Sequence, residues 1–338
     1  MIGWYVHHVG LGHSTRAVAI VEHLQGRVTG FGSRPRPVGW TQPWVALDRD
    51  DTDPAPDDGA DVTAHGTLHW VPRHHRGLIT RQARLVEWLH AERPDLVVVD
   101  VSVEVAALTR LCGVPVVVVG GPGDRGDRAH TLAYDLADAL LAPWPAGTLE
   151  AAWPQRWREK TCCVGALSRF DDAEPSPTRP GSRTGRRVLV LWGGGGRSTT
   201  AEQVVAARVA TPGWEWSERR PGSPGDLWSD LLAADVVVTH AGQNAVAEVA
   251  AARRPAVVVA QQRPHAEQEA TAGAVASVGA AAGLPRWPAV TEWPRLLDEA
   301  LERGGEGWAA WNPRDGAARA AAHVDDLAHR LSSSGGAA

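Results

Sequence analysis

The sequence predicts an α/β protein made of two doubly wound domains that face each other across a cleft. Short apolar runs alternate with helical segments in both halves of the chain, which is typical of parallel sheets covered by helices. The runs contain almost no polar alternation, as expected for strands that are buried on both faces. The chain has 338 residues, which is enough for two domains of ordinary size.

The first half of the chain contains strand and helix signals in alternation. Two of the three predicted strands are directly followed by a predicted helix, and Ser14 is a candidate N-cap of the first helix. We assign residues 1–170 to an N-terminal domain. The predicted strands are Ile2–Val6, Pro94–Asp100 and Val114–Gly121, and the predicted helices are Ser14–Gln25, Arg81–Ala91 and Val103–Cys112.

The alternation resumes after a segment rich in proline, serine and arginine. Residues 171–187, "DDAEPSPTRPGSRTGRR", show no apolar periodicity and are the predicted linker. Residues 188–330 are expected to form the C-terminal domain, and residues 331–338 a disordered tail. The strands predicted in this half are "RVLVLW", "ADVVVTH" and "RPAVVVA", and the helices are Thr199–Ala210, Ala245–Ala252 and Ala266–Val278.

Composition and charge argue against several classes of protein. A formal net charge of -5 and a pI near 6.3 argue against a nucleic-acid partner, because such proteins usually carry a basic excess. Three cysteines, two of them adjacent, are typical of a reducing compartment rather than a disulfide framework. The sequence shows neither a signal peptide nor an apolar run of the ~18–20 residues that span a membrane. We expect a soluble, cytoplasmic protein and leave peripheral membrane contact open.

Four glycines separate a predicted strand from a helix in the second half of the chain. They are Gly193, Gly194, Gly195 and Gly196 in the stretch "LWGGGGRS", which ends at Ser198. Backbone amides at such a turn can approach a phosphate closely, and the N-terminus of the following helix favours negative charge. The pattern matches neither G-x-G-x-x-G nor a Walker loop, so a flexible turn is the alternative.

A second group of polar residues lies where the strand "ADVVVTH" ends. The strand ends in His240, and a turn of small residues leads to Gln243 and Asn244 at the start of a helix. These positions lie beside a helix N-terminus, where a phosphate would bind. Glu248 lies about one turn further along the helix, where a carboxylate can accept both hydroxyls of a ribose.

The next predicted strand leads into a polar loop that contains Glu267 and Gln268. Their carboxylate and amide groups are suited to the hydroxyls of a sugar. Each of these polar residues, taken alone, could be a helix cap or an exposed group. Taken together, the order of phosphate turn, ribose acid and sugar-binding pair indicates a nucleotide-sugar site.

Residues Asp235–Ala272 resemble the donor-binding motif of glycosyltransferases with the GT-B fold, which use nucleotide-activated sugars. The resemblance includes the branch of the peptidoglycan N-acetylglucosaminyltransferase and the bacterial natural-product glycosyltransferases. It implies that residues 193–198 are the glycine-rich loop of that family. The implied donor contacts are His240, Gly242 and Asn244 at the diphosphate, Glu248 at the ribose, and Glu267 with Gln268 at the sugar.

Two departures from the family pattern concern the donor. The family usually has glycine at the position of Ala241, and the sugar-contact loop Gln261–His265 is one residue longer than in the peptidoglycan enzyme. The identity of the sugar and the choice between uridine and thymidine therefore stay open. The resemblance implies no bound metal and no cofactor, since the nucleoside-diphosphate sugar acts as a co-substrate.

The stretch "VHHVGLGHSTRA" follows the first predicted strand. In the family that it resembles, this domain binds the acceptor and a Gly-x-Gly-His loop often supplies the general base, which Gly10, Gly12 and His13 match. A base with a pKa near neutral is needed because an acceptor hydroxyl is a poor nucleophile. Asp100, at the end of a later strand, is predicted to orient His13 as in a catalytic triad. A cap on the helix that starts near Val103 is the alternative role for Asp100.

Three further residues of this stretch are assigned by position. His8 and Arg16 are expected on the acceptor side, where Arg16 would meet an anionic acceptor or a phosphate, or else lie on the surface. His8 is the second candidate for the base, and His7 is expected to be structural. A zinc site built from these histidines lacks the usual ligand spacing, and the acidic run at residues 48–59 lacks that of a calcium loop.

Two loops of the first half are predicted to line the acceptor pocket. Residues His65–Gly77 contain four histidines around Trp70, and residues Gly120–His130 follow the end of a strand. Loops that vary in sequence carry binding residues on a rigid scaffold. The GT-B fold also implies that the tail helix near Asp315–Leu331 crosses back onto the N-terminal domain.

The sequence therefore predicts transfer of a sugar from a UDP- or dTDP-linked donor to a hydroxyl-bearing small-molecule or lipid-linked acceptor. An inverting reaction with His13 as base is expected, because no candidate covalent nucleophile stands out. A nucleotide-sugar hydrolase of similar fold also contains Gly-x-Gly-His-x-x-Arg, and UDP-sugar 2-epimerases share the architecture. A non-catalytic protein that binds sugar nucleotides is the third hypothesis, and the presence of both His13 and the donor motif argues against it.

Overall fold

Two parallel β-sheets, each covered by helices, form the two halves of the protein. The computed structural model describes residues 1–10, 12–52, 59–175, 186–196 and 198–335. Within these residues the first sheet has seven strands and the second has five, and the paired strands are parallel. The predicted fold class, an α/β protein with two doubly wound domains, is confirmed.

The N-terminal sheet is built mostly from short buried runs of valine, leucine and isoleucine. Branched side chains suit a pleated, buried surface, so the continuous apolar runs of the sequence become central strands. The sequence analysis predicts three of these seven strands, at residues 2–6, 96–100 and 116–119, and misses the other four. The strands are β1 (Ile2–Val6), β2 (Val28–Gly32), β3 (Trp44–Ala46), β4 (Leu96–Asp100), β5 (Val116–Val119), β6 (Ala139–Ala142) and β7 (Thr161–Cys163), in the spatial order β3-β2-β1-β4-β5-β6-β7.

Helices pack on this sheet from both faces. Ser102 and Asp127 cap two of them through side-chain oxygens that accept backbone N–H groups. The first helix begins at Gly12, so Ser14 lies inside it, and the prediction that Ser14 is its N-cap is wrong. The helices are α1 (Gly12–Val21), α2 (Arg76–Glu92), α3 (Val103–Leu111), α4 (Arg128–Leu136) and α5 (Gln155–Arg158).

The C-terminal sheet repeats this construction with five strands. On one face, Trp293 and Leu297 pack against the strand residues Val190 and Val238. The strands are β8 (Arg186–Leu191), β9 (Trp214–Arg219), β10 (Val236–His240), β11 (Ala256–Val259) and β12 (Ala282–Leu284), in the spatial order β12-β11-β10-β8-β9. The helices are α6 (Ala201–Ala210), α7 (Leu227–Ala233), α8 (Gln243–Ala251), α9 (Glu267–Ser277), α10 (Trp293–Arg303) and α11 (Trp308–Trp311).

The first residues of the predicted linker are bound by the end of the chain. Asn312 donates its side-chain amide to the Asp171 carboxylate at 2.8 Å, and Arg314 donates to the backbone carbonyl of Asp171 at 2.7 Å. Strand β8 begins at Arg186, so the linker ends earlier than predicted. Residues 176–185 of the predicted linker lie outside the described part of the chain.

The last helix, α12 (Gly316–Gly335), lies on the N-terminal domain and packs against α1 in that domain's core. It continues through residues 331–335, so the prediction of a disordered tail is wrong for these residues. Residues 336–338 lie outside the described part of the chain. Among the described residues, no helix combines the length and the apolar character needed to cross a membrane.

The strand order reverses once in each sheet, and open α/β sheets bind ligands at such reversals. In the first sheet the reversal lies between β1 and β4, whose last residues, Val6 and Asp100, are paired. In the second sheet it lies between β8 and β10, where Leu191 pairs with Thr239, next to His240. The histidine loop after β1 and the glycine loop after β8 therefore begin where the topology opens a crevice.

Candidate active site

His13, Asp100 and Arg16 form one hydrogen-bonded group at the reversal point of the N-terminal sheet. The Asp100 carboxylate is fully buried, and its Oδ1 lies 2.9 Å from Nδ1 of His13. Arg16, one turn after His13 on α1, donates to both oxygens of Asp100 through Nη2, at 2.8 and 3.0 Å. The structure thus brings the predicted His13–Asp100 pair together. Arg16 lies in the interior, against Asp100. Its expected position was different, since it was predicted to face an acceptor or the surface.

The charges of this group determine which nitrogen of His13 is basic. Burial alone would raise the pKa of Asp100, but the Arg16 cation and His13 outweigh burial and hold that pKa well below its usual range. Nδ1 of His13 lies 2.9 Å from Asp100 and 3.2 Å from Nη2 of Arg16. An ionised carboxylate only accepts hydrogen bonds, so we assign the proton to Nδ1 on the shorter of these two contacts. The lone pair is then on Nε2, which is the arrangement of a general base oriented by an acid.

The backbone directly after Asp100 is strained. Val101 has a φ of +70°, a left-handed conformation that β-branched residues rarely adopt. Strain of this kind is concentrated at functional sites. Ser102 caps α3 by accepting the N–H of Val105 at 3.3 Å, so the alternative role of Asp100 as the cap of this helix is wrong.

The other two histidines of the loop have different partners. His8 is buried, and its Nε2 lies 3.2 Å from the Asp51 carboxylate. His7 stacks on His8 with ring centroids 4.9 Å apart, and burial lowers the pKa of His7 to about 3. Since 21% of the His13 side chain is exposed against 6% of His8, an acceptor can reach His13 more readily.

Two contacts join the His13 group to the C-terminal domain. Arg16 donates through Nη1 to Oε1 of Gln243 at 3.2 Å. A Cβ on Gly12 would lie 3.2 Å from the Asn244 side chain, so a glycine here lets the two domains approach closely. Gln243 and Asn244 open helix α8, so His13 lies opposite the predicted diphosphate site. Gly10 in the same loop has a φ of +89°, a left-handed conformation that favours glycine.

His240 ends strand β10 and lies between two glycines. Gly242 donates its backbone N–H to Nδ1 of His240 at 3.0 Å. A Cβ at Gly193 or at Gly242 would overlap the imidazole ring, so both positions require glycine. Burial, with a smaller contribution from the Arg263 cation, lowers the pKa of His240 to about 4, which makes the ring neutral at pH 7.

The tautomer of His240 provides a hydrogen-bond donor for a ligand. Since Nδ1 accepts, the proton of the neutral ring is on Nε2. Nε2 is buried and has no hydrogen-bond partner among the described residues, which is costly for a polar atom. Helix α8 starts beside it, and its N-cap, Gly242, offers no side chain to cap the first turn. Unpaired N–H groups at a helix N-terminus bind anions, so a diphosphate oxygen suits this position.

The glycine-rich loop after β8 is closed by hydrogen bonds within the protein. Ser198 donates its backbone N–H and its hydroxyl to Oε1 of Gln261, at 2.8 and 3.0 Å. Both hydrogen-bond donors of Ser198 are therefore already bound to Gln261. Ser198 was predicted to bind the phosphate, and in this structure its donors are not free to do so. Arg263 lies across the loop and donates to the carbonyl of Gly196 at 2.6 Å. The sequence analysis did not single out Arg263. Its position in the polar loop after β11 is the sequence feature that could have identified it.

Glu248, the predicted ribose acid, is paired with an arginine that sequence reasoning missed. Its side chain is 13% exposed, and Oε1 lies 2.9 Å from Nε of Arg169. Burial raises the pKa of Glu248, and the Arg169 cation opposes this rise. Arg169 also lies over the ring of Phe170, 4.8 Å from its centroid. A ribose would therefore compete with Arg169 for the same carboxylate.

The predicted sugar-binding pair contains one half-exposed residue and one buried residue. Gln268 is buried, and its Oε1 accepts the N–H of Gln261 at 3.0 Å, while its Nε2 lies 3.4 Å from Nδ1 of His240. Glu267 is half-exposed and lies 3.5 Å from Nη2 of Arg125, in the loop after β5. Glu267 is therefore accessible to a sugar, and Gln268 supports His240.

The loops predicted to bind the acceptor lie beside a small apolar pocket. The pocket has a cavity volume of about 20 Å³, and it is lined by residues 101–103 after β4, by Val118 and Val119 of β5, and by residues of the following loop and of α4, among them Arg125 and His130. Of the histidines in the first loop, His75 caps helix α2 and His69 packs against His130 with ring centroids 4.4 Å apart. The pocket lining includes Val101 and Ser102, the two residues that follow Asp100 in the chain, and the ring of His130.

Most of the residues predicted to contact the donor lie in a segment that matches a known family. Residues 226–306 match the model of the glycosyltransferase family 28 C-terminal domain. The matched segment contains His240, helix α8 with Glu248, and the pair Glu267 and Gln268. The predicted resemblance to nucleotide-sugar glycosyltransferases is confirmed. No curated protein sequence matches the chain.

Solved structures of the same fold cover almost the whole chain. The calicheamicin glycosyltransferase CalG4 is 21% identical, with a TM-score of 0.64, and the match covers 97% of this chain and 98% of that one. The glycotransferase of kitacinnamycin is 17% identical, with a TM-score of 0.64 and coverage of 96% and 98%. MurG of Acinetobacter baumannii is 16% identical, with a TM-score of 0.59 and coverage of 97% and 99%. These likenesses establish the GT-B fold, and the family match supports an enzyme that transfers sugars.

Proposed function

We propose that the protein is an inverting glycosyltransferase that moves a sugar from a nucleoside-diphosphate sugar to a hydroxyl acceptor. The observation that carries the proposal is the position of the His13–Asp100 pair, opposite the start of α8 in one cleft. One side of the cleft offers a base, and the other offers an anion site with His240. The spinosyn rhamnosyltransferase SpnG, which has the same fold, has been solved with thymidine diphosphate and with spinosyn aglycone.

In the proposed reaction, Nε2 of His13 removes the proton of the acceptor hydroxyl as the hydroxyl oxygen attacks the anomeric carbon. The bond from that carbon to the diphosphate breaks on the opposite face, which inverts the configuration. The nucleoside diphosphate leaves with the electron pair, and Asp100 stabilises the imidazolium formed at His13. A positioned base contributes about 10²–10⁴-fold to the rate of such a step.

Groups of the C-terminal domain stabilise the leaving diphosphate in this proposal. The Nε2–H of His240 and the N–H groups at the start of α8, at Gln243 and Asn244, donate to phosphate oxygens. Arg263 supplies a positive charge beside the glycine-rich loop. These groups can neutralise a UDP or dTDP leaving group without a bound metal, and we propose metal-independent transfer.

Arg16 has a positioning role in this mechanism. Its guanidinium contacts both oxygens of Asp100 and is itself buried. Such two-oxygen contacts fix the orientation of a carboxylate, and therefore the direction in which Asp100 accepts from His13. The contact of Arg16 with Gln243 extends this support to the domain that binds the donor.

Nucleotide sugars offered with and without acceptors test both the donor class and the reaction. We expect UDP- or dTDP-sugars to raise the melting temperature more than GDP-sugars do, since a ligand that binds the folded state stabilises it. We expect release of the nucleoside diphosphate when a hydroxyl acceptor from a panel of aglycones and lipid-linked sugars is present. Coupled spectrophotometry measures the release, and mass spectrometry identifies the glycosylated product.

The same experiment separates the competing functions. Rapid stoichiometric release of free sugar without an acceptor would identify a hydrolase. A hydrolase is the second candidate because the chain contains the Gly-x-Gly-His-x-x-Arg loop, whose arginine, Arg16, contacts Asp100. Binding without turnover in either condition would identify a non-catalytic protein. If no nucleotide sugar bound, the proposal would be rejected.

Glu248 and Arg169 lead to opposite expectations for donor binding. Glu248→Ala removes the carboxylate proposed to accept the ribose hydroxyls, and we expect the Kd for UDP or dTDP to rise several-fold. Arg169→Ala releases that carboxylate from its 2.9 Å ion pair and should leave the Kd unchanged or lower it. Isothermal titration calorimetry measures both values.

The matched control for these variants is Arg156→Ala. It removes an exposed arginine from an ion pair with Asp135 at 2.7 Å, and Asp135 belongs to α4 on the N-terminal domain. Its Kd should equal that of the wild type. An unchanged Kd in Glu248→Ala would remove the ribose role, and a several-fold loss in Arg169→Ala would show that Arg169 binds the donor itself.

A further inference from the structure

A buried arginine of the N-terminal domain contacts the residue that is predicted to bind the donor sugar. The Arg125 side chain is 7% exposed, and its Nη2 lies 3.5 Å from Oε2 of Glu267 in the C-terminal domain. We propose that Arg125 is a positioning residue for the donor sugar and acts by orienting the carboxylate of Glu267. The sugar subsite is then shared between the two domains. This inference rests on the proposed function, since a bound nucleotide sugar is what Glu267 is predicted to contact.

Groups of its own domain hold the guanidinium of Arg125 in place. Nη2 donates to the backbone carbonyl of Pro122 at 2.6 Å, and Nη1 donates to Nε2 of His130 at 3.1 Å. A planar guanidinium with two directed hydrogen bonds has little freedom to rotate. Because the side chain is almost fully buried, Arg125 acts on a sugar through Glu267 rather than by contacting the sugar itself.

His130, which accepts from Arg125, is held in turn by Asp127. A guanidinium only donates, so Nε2 of His130 accepts and the ring proton is on Nδ1, which lies 2.5 Å from Oδ2 of Asp127. Burial lowers the pKa of His130 to about 4, so the ring is neutral at pH 7. Asp127 also lies 3.5 Å from Nε2 of His69 and 3.7 Å from Nδ1 of His265, so three imidazoles surround this carboxylate. The support of Arg125 therefore extends to Asp127, the N-cap of α4.

The loop that contains Arg125 also fixes the backbone in front of Glu267. Asp124 donates its N–H to the carbonyl of His265 at 2.8 Å. A Cβ at Gly123, which has a φ of +88°, would overlap the same carbonyl oxygen, so this close approach requires glycine. The loop after β5 therefore meets the segment before Glu267 through its backbone as well as through the arginine.

The two residues directly before Glu267 have left-handed backbone conformations. His265 has a φ of +62° and Ala266 a φ of +50°, a region that favours glycine. Strained residues persist where the surrounding structure holds them, and they are concentrated at functional sites. Since Glu267 is the first residue of α9, its direction depends on this turn and on the loop of the other domain that contacts it.

Glu267 differs from its neighbour Gln268 in what its side chain can still bind. Gln268 is buried and bonds within the protein, whereas the Glu267 side chain is 39% exposed and forms its ion pair with Arg125. A side chain whose orientation is already fixed loses less freedom when a ligand binds. Arg125 should therefore contribute to the affinity for the sugar and leave the affinity for the diphosphate unchanged.

Separate titrations of a nucleotide sugar and of its own nucleoside diphosphate test this inference. The probe is the tightest-binding of UDP-glucose, UDP-N-acetylglucosamine and dTDP-rhamnose, and isothermal titration calorimetry measures each Kd. We expect Arg125→Met to raise the Kd for the nucleotide sugar about tenfold, the effect of one weakened hydrogen bond to a charged group. The Kd for UDP or dTDP alone should stay at the wild-type value, because the proposed diphosphate groups lie at His240 and α8. Arg125→Lys, which keeps the charge, should recover part of the loss.

A double-mutant cycle shows whether Arg125 acts through Glu267. Effects of two residues in contact are not additive, whereas those of independent residues are. In the background of Glu267→Gln, Arg125→Met should therefore raise the Kd for the nucleotide sugar less than about twofold. Equal losses in both backgrounds would overturn the positioning role, as would equal losses for the nucleotide sugar and the free diphosphate.

A second variant and a control complete the experiment. Gly123→Ala places a Cβ against the carbonyl of His265, so it should separate the two loops and raise only the Kd for the nucleotide sugar. Arg156→Met removes an exposed arginine of the same domain and should leave each Kd unchanged. Circular dichroism checks that each variant is folded. Wild-type Kd values in both Arg125→Met and Gly123→Ala would overturn this inference alone, whereas a wild type that binds no nucleotide sugar would overturn the proposed function and this inference together.

Discussion

We expect His13→Ala to lower kcat for sugar transfer by about 10²–10⁴-fold, the range that a positioned general base contributes. The Kd for UDP or dTDP should stay at the wild-type value, because the groups proposed to bind the diphosphate belong to the C-terminal domain. Initial rates of nucleoside diphosphate release in the presence of acceptor measure kcat. Isothermal titration calorimetry on the same preparation measures the Kd.

His8→Ala is the control for this assignment. His8 is buried against Asp51, so its removal should leave most of kcat intact as long as the protein folds. Asp100 is a poorer first target, because its removal leaves Arg16 as an unpaired buried charge, at a cost of about 3–5 kcal/mol in folding free energy. Wild-type turnover by His13→Ala would assign the base to another residue.

His240→Ala should raise the Kd for UDP or dTDP by roughly 10- to 150-fold, because a hydrogen bond to a charged group contributes about 1.5–3 kcal/mol. The variant removes the Nε2–H that has no partner among the described residues, and it also removes the acceptor for the N–H of Gly242. Calorimetric titration with the nucleoside diphosphate measures the change, and circular dichroism checks that the variant is folded.

Two variants accompany this measurement. His240→Asn retains a side-chain N–H at a shorter reach, so its Kd should lie between those of the wild type and His240→Ala. His23→Ala removes an exposed histidine of the N-terminal domain and should bind like the wild type. If His240→Ala bound the nucleotide with the wild-type Kd, the diphosphate site would have to be placed elsewhere in the cleft.

Long apolar runs explain why much of the fold is predictable from sequence. Strands β4, β5 and β10 were found because valine-rich runs without polar alternation form strands that are buried on both faces. Parallel strands end at one edge of a sheet, so His13 and Asp100 were expected together although 87 residues separate them. Three-residue strands such as β3 and β12 contain too little periodicity to be predicted.

The partners of the arginines could not be predicted in the same way. Arg16 was expected to face an acceptor or the surface, yet the adjacency of β4 and β1 brings Asp100 to 2.8 Å from its guanidinium. Arg169 and Arg125 contact Glu248 and Glu267 from segments distant in sequence. Long side chains can reach several neighbours, and the partner that each one binds depends on which segment packs nearby. A local sequence pattern does not contain that information.

The amino-acid pattern was sufficient for the fold class and for the two polar loops at strand ends, because hydrophobic periodicity and turns are local. The folded chain was needed to learn that Ser198 is bound by Gln261, that Glu248 is shared with Arg169, and that three imidazoles surround Asp127. Hydrogen bonds and ion pairs require separations of about 3–4 Å between segments far apart in sequence. Those separations are set by the packing of whole domains.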